Sequence, residues 1–327
     1  MSEWNTETMQ AVAEEQLHFQ THRQQSELLI QRNPMNLRLI YDVGAHIGED
    51  TEFYLKKGFR VVAIEANPEL VEKLKEKFMP NVADGTLIVV SNAIARVRGE
   101  VGFYVNDRSE WGTIQPEFAE RNAYMGCLSK RINVNAIRFQ DILADHGIPY
   151  YLKIDVEGVD ALCLEGLLEV SDRPKYISIE SNKRSWRALL HEFELFTQLG
   201  YTKFKIVDQE QVYRLQVPKP ATEGRYIDHK FEPGSSGLFG RELPGKWLTM
   251  RQALRRYRLI YLKYHLFGDY GIVRKTILRL PGFKNAVSMK RSCKAPSTLR
   301  KILNGILRVR IFELLFKSHW YDTHATV

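Results

Sequence analysis

The chain has 327 residues, 44% hydrophobic and 26% charged, the balance of a soluble globular protein with one large domain and an appendage, or two domains. Its three cysteines, Cys127, Cys163 and Cys293, show no Cys-x-x-Cys spacing, so neither a disulfide scaffold nor a zinc site is suggested and a reducing compartment is expected. The polar N-terminus does not read as a secretory signal, and no apolar run is long enough to span a bilayer.

Residues 1–36, rich in Gln and Glu, read as a polar helix or arm. Leu37–Ala45 reads as a first strand, followed by a helix over Asp50–Lys57 and a second strand over Phe59–Asn67. Pro68 is suited to open the next helix, in which Leu70, Val71, Leu74 and Phe78 repeat at helical spacing. Thr86–Ala95 is a third buried strand and Glu100–Asn106 an added one. Residues 107–136 read as an irregular lid or binding loop around Trp111. A short helix over Asp141–His146 leads to a fourth central strand, Tyr150–Val156, and a helix over Val159–Glu169. A fifth strand, Lys175–Ser181, and a helix, Ser185–Leu199, follow. Lys203–Val207 and Val212–Val217 then read as a hairpin closing the sheet edge. Strand and helix alternation implies a mostly parallel sheet covered on both faces.

The first two strands carry the first chemical signal. Leu39-Ile-Tyr-Asp-Val-Gly-Ala-His-Ile-Gly48 breaks from a strand into a glycine turn, and Arg60–Glu65 ends a second strand on an acid. This is the form of a mononucleotide-binding unit, the acid being suited to the hydroxyls of a ribose. A dinucleotide turn needs Gly-x-Gly-x-x-Gly, and His46 stands at its second glycine. Asp42-x-Gly44-x-x-x-Gly48 fits instead the looser pattern of enzymes that use S-adenosylmethionine, whose ammonium Asp42 could help position. The second signal is Tyr151-Leu-Lys-Ile-Asp-Val-Glu-Gly158, which alternates Lys153, Asp155 and Glu157 along one side of a central strand. Such charges are costly to bury unless paired or used.

Asp42-Val-Gly-Ala-His-Ile-Gly48, Glu65-Ala-Asn-Pro68, Ser91-Asn-Ala-Ile-Ala95 and Leu152-Lys-Ile-Asp-Val-Glu-Gly158 together resemble the FkbM family of methyltransferases over residues 37–217. The resemblance implies the Rossmann-like class I methyltransferase fold, an α/β architecture with a seven-stranded, mostly parallel sheet and an antiparallel C-terminal hairpin. It implies S-adenosylmethionine as cofactor and O-methylation of a saccharide or other natural-product hydroxyl. By position, Gly44 and Gly48 would line the cofactor, Glu65 would bind its ribose, and Asn92 would lie near the adenine. Ala45, Ala66, Asn67 and Ala93 adjoin them in the expected cofactor set. Asp155 and Glu157 would lie near the transferred methyl. His46 stands where the family commonly has Asn, which leaves open whether it moves a proton or fills space.

Methyl transfer to a hydroxyl needs an acceptor for the hydroxyl proton. Asp155, Glu157 and His46 are the candidates, with Lys153 beside them. A Mg²⁺ ion held by Asp155 and Glu157 is an alternative, because hard cations take oxygen ligands. Phe231-Glu-Pro-Gly-Ser-Ser-Gly-Leu-Phe-Gly240 reads either as a sugar-facing loop or as a linker.

Residues 249–327 hold 17 Lys and Arg against 3 Asp and Glu, while residues 1–248 hold 30 against 36. The expected division is an arm over 1–36, a catalytic domain over 37–248 and a basic helical extension over 249–327. Leu254–Phe267 and Ser297–Lys317 read as amphipathic basic helices. They could cap the acceptor or lie on an anionic membrane, and no recognition motif favours nucleic acid. His319-Trp-Tyr-Asp-Thr-His324 hints that the terminus returns to a structured site. The reading is an S-adenosylmethionine-dependent O-methyltransferase, cytoplasmic or membrane-peripheral. A nicotinamide (NAD) oxidoreductase and a non-catalytic membrane- or polymer-binding protein are the alternatives. Oligomeric state does not follow from the residues.

Overall fold

The structure, a computed structural model, describes residues 35–124, 126–182, 185–267, 272 and 319–327. Residues 1–34 of the expected arm and the helix expected over Ser297–Lys317 lie outside them.

The first half alternates as expected: β1 (Asn36–Val43), α1 (Glu49–Lys56), β2 (Arg60–Glu65), α2 (Pro68–Lys77), α3 (Met79–Ala83) and β3 (Leu87–Ser91). Helix α2 starts where Asn67 caps it, its side chain accepting from the Glu69 N–H, with Pro68 at the first position. The expected third strand is broken at Asn92, and β4 (Ala93–Ile94) turns into a second sheet. That sheet corrects the reading of residues 107–136 as irregular. After β5 (Gly99–Asn106) come a 3₁₀ turn (Ser109–Trp111), α4 (Pro116–Tyr124) and β6 (Ser129–Ile137). Strand β6 pairs antiparallel with β5 along its whole length and parallel with β4. Its inward stripe is short, Ile132, Val134 and Ala136 between polar and charged neighbours, and packs against Phe103 in a small core of its own.

Helix α5 (Phe139–His146), β7 (Pro149–Ile154), α6 (Ala161–Leu167), β8 (Tyr176–Glu180), α7 (Trp186–Gln198) and β9 (Lys203–Asp208) restore the alternation. All six residues of β7 are buried, as a parallel strand covered on both faces requires. The expected hairpin after β9 is not formed there: residues 209–214 make a 3₁₀ turn instead. Strand β9 instead pairs antiparallel with β10 (Leu248–Thr249), which leads into α8 (Met250–Phe267), on one edge and with β11 (Tyr321–Thr326) on the other.

The main sheet has the order β10-β9-β11-β8-β7-β1-β2-β3. Strands β3, β2, β1, β7 and β8 are parallel, and β11 runs antiparallel to both β8 and β9. The sheet has eight strands where seven were expected: β11 stands in place of the expected Val212–Val217 strand, and the two-residue β10 is added at the edge. The end of the chain therefore belongs to the sheet, and the expected boundary at 248 does not separate it from the catalytic body.

Side chains alternate across the sheet. One face is apolar: Tyr41, Val43, Leu152, Ile154, Ile177 and Ile179 pack against helices that include Phe139, Leu164, Phe193 and Tyr257. The other face is covered by α1, through Phe53 and Tyr54, and by a non-helical strap carrying Phe231, Leu238 and Phe239. The Tyr151 and Phe239 rings stack at 4.5 Å. The strap is clasped by the fully buried Lys57–Glu242 ion pair, 2.8 Å. Residues 231–240, read as a sugar-facing loop or a linker, are thus core, although Glu232, Pro233 and Gly234 remain exposed. Among the described residues, no helix is long and apolar enough to cross a membrane.

Candidate active site

The chain runs from β1 outward to β2 and β3, then returns to β7 on the other side of β1. Ligands of open α/β sheets bind at the carboxyl ends of the strands at such a reversal. The register brings the motif residues of four neighbouring strands to that edge. Asp42 aligns with Ala63 on β2 and with Lys153 on β7, and Lys153 aligns with Ser178 on β8. Two residues further along the same face stand Glu65, paired with Ser91, and Glu180, paired with Asp322. Gly44 and Asp155 follow β1 and β7 at this level.

Lys153 is buried and central. Its Nζ donates to the Gly44 carbonyl at 3.0 Å and lies 3.1 Å from Asp42 Oδ1. Asp50 and Asp155 are each 3.8 Å away. Burial pulls the lysine pKa down, but Asp42, Asp155 and Asp50 outweigh it and hold the value well above normal. Lys153 is therefore a buried ammonium, unsuited to take a proton. Asp42 is fully buried and also accepts from Thr51 Oγ1 at 2.6 Å. Asp50 accepts the Ser236 N–H at 2.9 Å, and burial, with Asp42 adding, pushes its pKa up to about 7 against Lys153. Thr51 and Asp50 were not expected in the site; the Thr51 bond to Asp42 and the Asp50 contact with the strap reveal them.

The glycines serve packing. Gly44 has φ +79°, and an added Cβ would meet the Asp155 carbonyl oxygen at 1.8 Å, so only glycine lets the turn pass the end of β7. At Gly48, also φ +79°, a Cβ would meet Phe78 at 2.5 Å, so this glycine lets α1 approach α2. His46 between them adopts φ 52°. Its Nε2 is 2.7 Å from Ser109 Oγ and its Nδ1 3.4 Å from Glu49, which ties the turn to the second sheet's loop. Burial lowers the His46 pKa, but Glu49, Glu65 and Glu110 together raise it above normal.

Glu65 is buried and held by two backbone donors, His46 N–H at 2.9 Å and Asn67 N–H at 2.8 Å. Burial raises its pKa. Each carboxylate oxygen keeps a further acceptor site, enough for two ribose hydroxyls. Ala45 is buried beside the turn, Ala66 and Asn67 follow Glu65, and Asn92 and Ala93 lie just past β3, so the expected cofactor set shares one edge.

Asp155 and Glu157 separate. Strand β7 ends at Ile154, so the alternation expected through residue 157 is lost in the turn. Asp155 stays open, its side chain 44% exposed, with no hydrogen bond among the described residues. Glu157 Oε2 is 3.3 Å from Arg121, which stacks over Phe118 and Trp111. The Glu157 carbonyl accepts from Thr113 Oγ1 at 2.7 Å. No group of three His, Cys, Asp or Glu side chains able to hold a metal ion gathers among the described residues. With Glu157 turned to Arg121 and Asp155 toward Lys153, the residues present do not fit the Mg²⁺ alternative.

The family model described as "Methyltransferase FkbM domain" matches residues 42–203. No curated protein matches the chain. Among solved structures, precorrin-6y C5,15-methyltransferase from Geobacter metallireducens matches with TM-score 0.31 and 14% identity, over 57% of this chain and 73% of that one. Precorrin 8w decarboxylase from Methanobacterium thermoautotrophicum matches with TM-score 0.30 and 15% identity, over 57% and 76%. Phosphoethanolamine N-methyltransferase 2 of Haemonchus contortus, in complex with S-adenosyl-L-methionine, matches with TM-score 0.32 and 8% identity, over 93% of this chain and 52% of that one. The chain thus spans about half the length of the last, and likenesses this distant carry no weight for activity.

Proposed function

For a chain that belongs to the FkbM methyltransferase family and depends on S-adenosylmethionine, we propose that the methyl acceptor is a hydroxyl of a saccharide or glycolipid and that Asp155 takes its proton. The observation that carries this reading is the open Asp155 carboxylate beside the buried Lys153 ammonium, at the strand reversal. The nicotinamide and non-catalytic alternatives fall with the family.

Bound S-adenosylmethionine supplies a methyl group on a cationic sulfur. Glu65 would hold the ribose and the turn from Asp42 to Gly48 the amino-acid end, with Asn92 and Ala93 beside the base. Asp42 is already committed to Lys153 and Thr51, so its part is to hold Lys153 rather than to meet the ligand. Lys153 places a positive charge 3.8 Å from the Asp155 carboxylate. Holding the acceptor oxygen in line supplies up to roughly 7–11 kcal/mol, and proton removal by Asp155 a further factor of about 10²–10⁴.

The test is methyl transfer from S-adenosylmethionine to a panel of methyl glycosides and glycolipids, read as product mass. Transfer to an amine or thiol panel but to no hydroxyl would overturn the reading. Glu65→Ala should weaken S-adenosylhomocysteine binding about tenfold, the loss of hydrogen bonds to a charged acceptor, measured by calorimetry; unchanged affinity would remove Glu65 from the site.

We also propose that α8 meets an anionic lipid surface. Arg255, Arg258 and Lys263 are exposed on the same stripe as Leu259 and Leu262, which are 68% and 58% exposed. The protein should float with vesicles of phosphatidylcholine and phosphatidylserine but not of phosphatidylcholine alone. A double Leu259→Glu, Leu262→Glu variant that floats equally well would refute the contact.

A further inference from the structure

The last strand carries a carboxyl group into the acceptor half of the site. Strand β11 is polar yet sits between β8 and β9, and its facing is fixed by Thr323. The Thr323 hydroxyl lies 2.5 Å from Ser181 Oγ and 2.6 Å from the Tyr257 hydroxyl of α8, on the apolar face of the sheet. Alternation then turns Asp322 and His324 to the opposite face, which carries Asp42 and Lys153. The register agrees, since His324 aligns with Ser178, which aligns with Lys153, and Asp322 aligns with Glu180.

At the carboxyl edge this face therefore reads, strand by strand, Ser91, Glu65, Gly44, Asp155, Glu180, Asp322. Glu65 lies on the cofactor side of β1. Asp155, Glu180 and Asp322 lie on the other side. Asp322 is only 6% exposed, and its carboxyl group has no hydrogen-bond donor among the described residues. Burial first, then the Asp155 and Glu180 carboxylates, raise its pKa well above normal against the pull of Lys153. A buried carboxyl without a donor is a standing cost that a bound hydroxyl relieves.

We propose that Asp322 is an acceptor-binding residue, hydrogen-bonding a second hydroxyl of the molecule whose first hydroxyl faces Asp155. This rests on the hydroxyl-acceptor reading above and narrows it to a polyhydroxylated acceptor, gripped at two points across β7, β8 and β11.

The test uses the full chain and a mixture of methyl glycosides of the common hexoses and deoxyhexoses, with S-adenosylhomocysteine binding measured beside transfer. Asp322→Val, which suits a strand and removes the hydrogen-bonding group, should raise acceptor KM about tenfold or more. Its kcat should stay within threefold and its S-adenosylhomocysteine affinity within twofold of the parent. Acceptor KM within twofold of the parent would overturn the assignment of Asp322 while leaving the acceptor class intact. No transfer by the parent to any glycoside would overturn the hydroxyl-acceptor reading and this inference with it. Asp322→Ala serves as a second variant; loss of S-adenosylhomocysteine binding in both would make the residue structural and overturn the proposal.

Discussion

Asp155→Asn is expected to lower kcat by about 10²–10⁴, the range of a positioned general base, with S-adenosylhomocysteine affinity within twofold of the parent. The change keeps the shape of the side chain and removes its ability to accept a proton. Because the side chain is 44% exposed and makes no hydrogen bond among the described residues, folding should be nearly unaffected. The Asp155 backbone, which donates to the Val43 carbonyl and packs its own carbonyl against Gly44, stays in place. Single-turnover rates on the acceptor found in the glycoside screen, beside a calorimetric titration, separate chemistry from binding. A kcat within threefold of the parent would remove Asp155 from the proton transfer.

Lys153→Met is expected to destabilise the protein by about 3–5 kcal/mol at neutral pH, as removal of one partner from a buried charge cluster does. Methionine fills similar volume, so the loss reports charge. Asp42 is fully buried and Asp50 nearly so, and both face Lys153. Without the ammonium their burial is uncompensated. Asp50, which burial already pushes up to about 7 against the pull of Lys153, then folds protonated, so the folded state binds more protons than the unfolded one. Stability therefore falls as pH rises from the ordinary carboxylate range through the raised value. Urea unfolding at pH 5 and pH 8 should show the larger loss at pH 8. A loss below about 1 kcal/mol at pH 8 would mean that the cluster is solvated rather than dry.

Much of the site was legible because its signals are local. A glycine turn after a buried strand, an acid closing the next strand and a proline opening the following helix are each read from a few adjacent residues. Gly44, Glu65 and Pro68 stand where that reading put them. Glu157 was misplaced because period-two spacing was carried past the end of β7. Arg121, which draws it away, comes from a helix that no local pattern joined to it.

The larger misreadings have one cause. Strand β11 reads as Tyr-Asp-Thr-His-Ala-Thr, with almost no apolar character, yet Asp322, Thr323, His324 and Ala325 are buried. It is held by backbone pairing on both edges and by hydroxyl contacts to Ser181 and Tyr257, neither of which hydropathy records. The nearer segment, Val212–Val217, has the apolar content of a strand but lacks a free edge, because β9 is flanked by β11 and β10. Likewise the strap at 231–240 carries the glycines and serines of a loop, and only its contacts with Phe53, Tyr54 and Tyr151 make it core.

By itself, then, the sequence determined the glycine turn after β1, the acid that closes β2 and the lysine and acid at the end of β7, since these follow from short-range periodicity and turn chemistry. Tertiary structure alone decided which segment completes the sheet, what covers its second face and which carboxyl groups gather at its carboxyl edge. Those outcomes depend on hydrogen bonds and side-chain contacts between residues more than a hundred positions apart, such as Asp50 with Ser236 and Ser181 with Thr323, where no local pattern reaches.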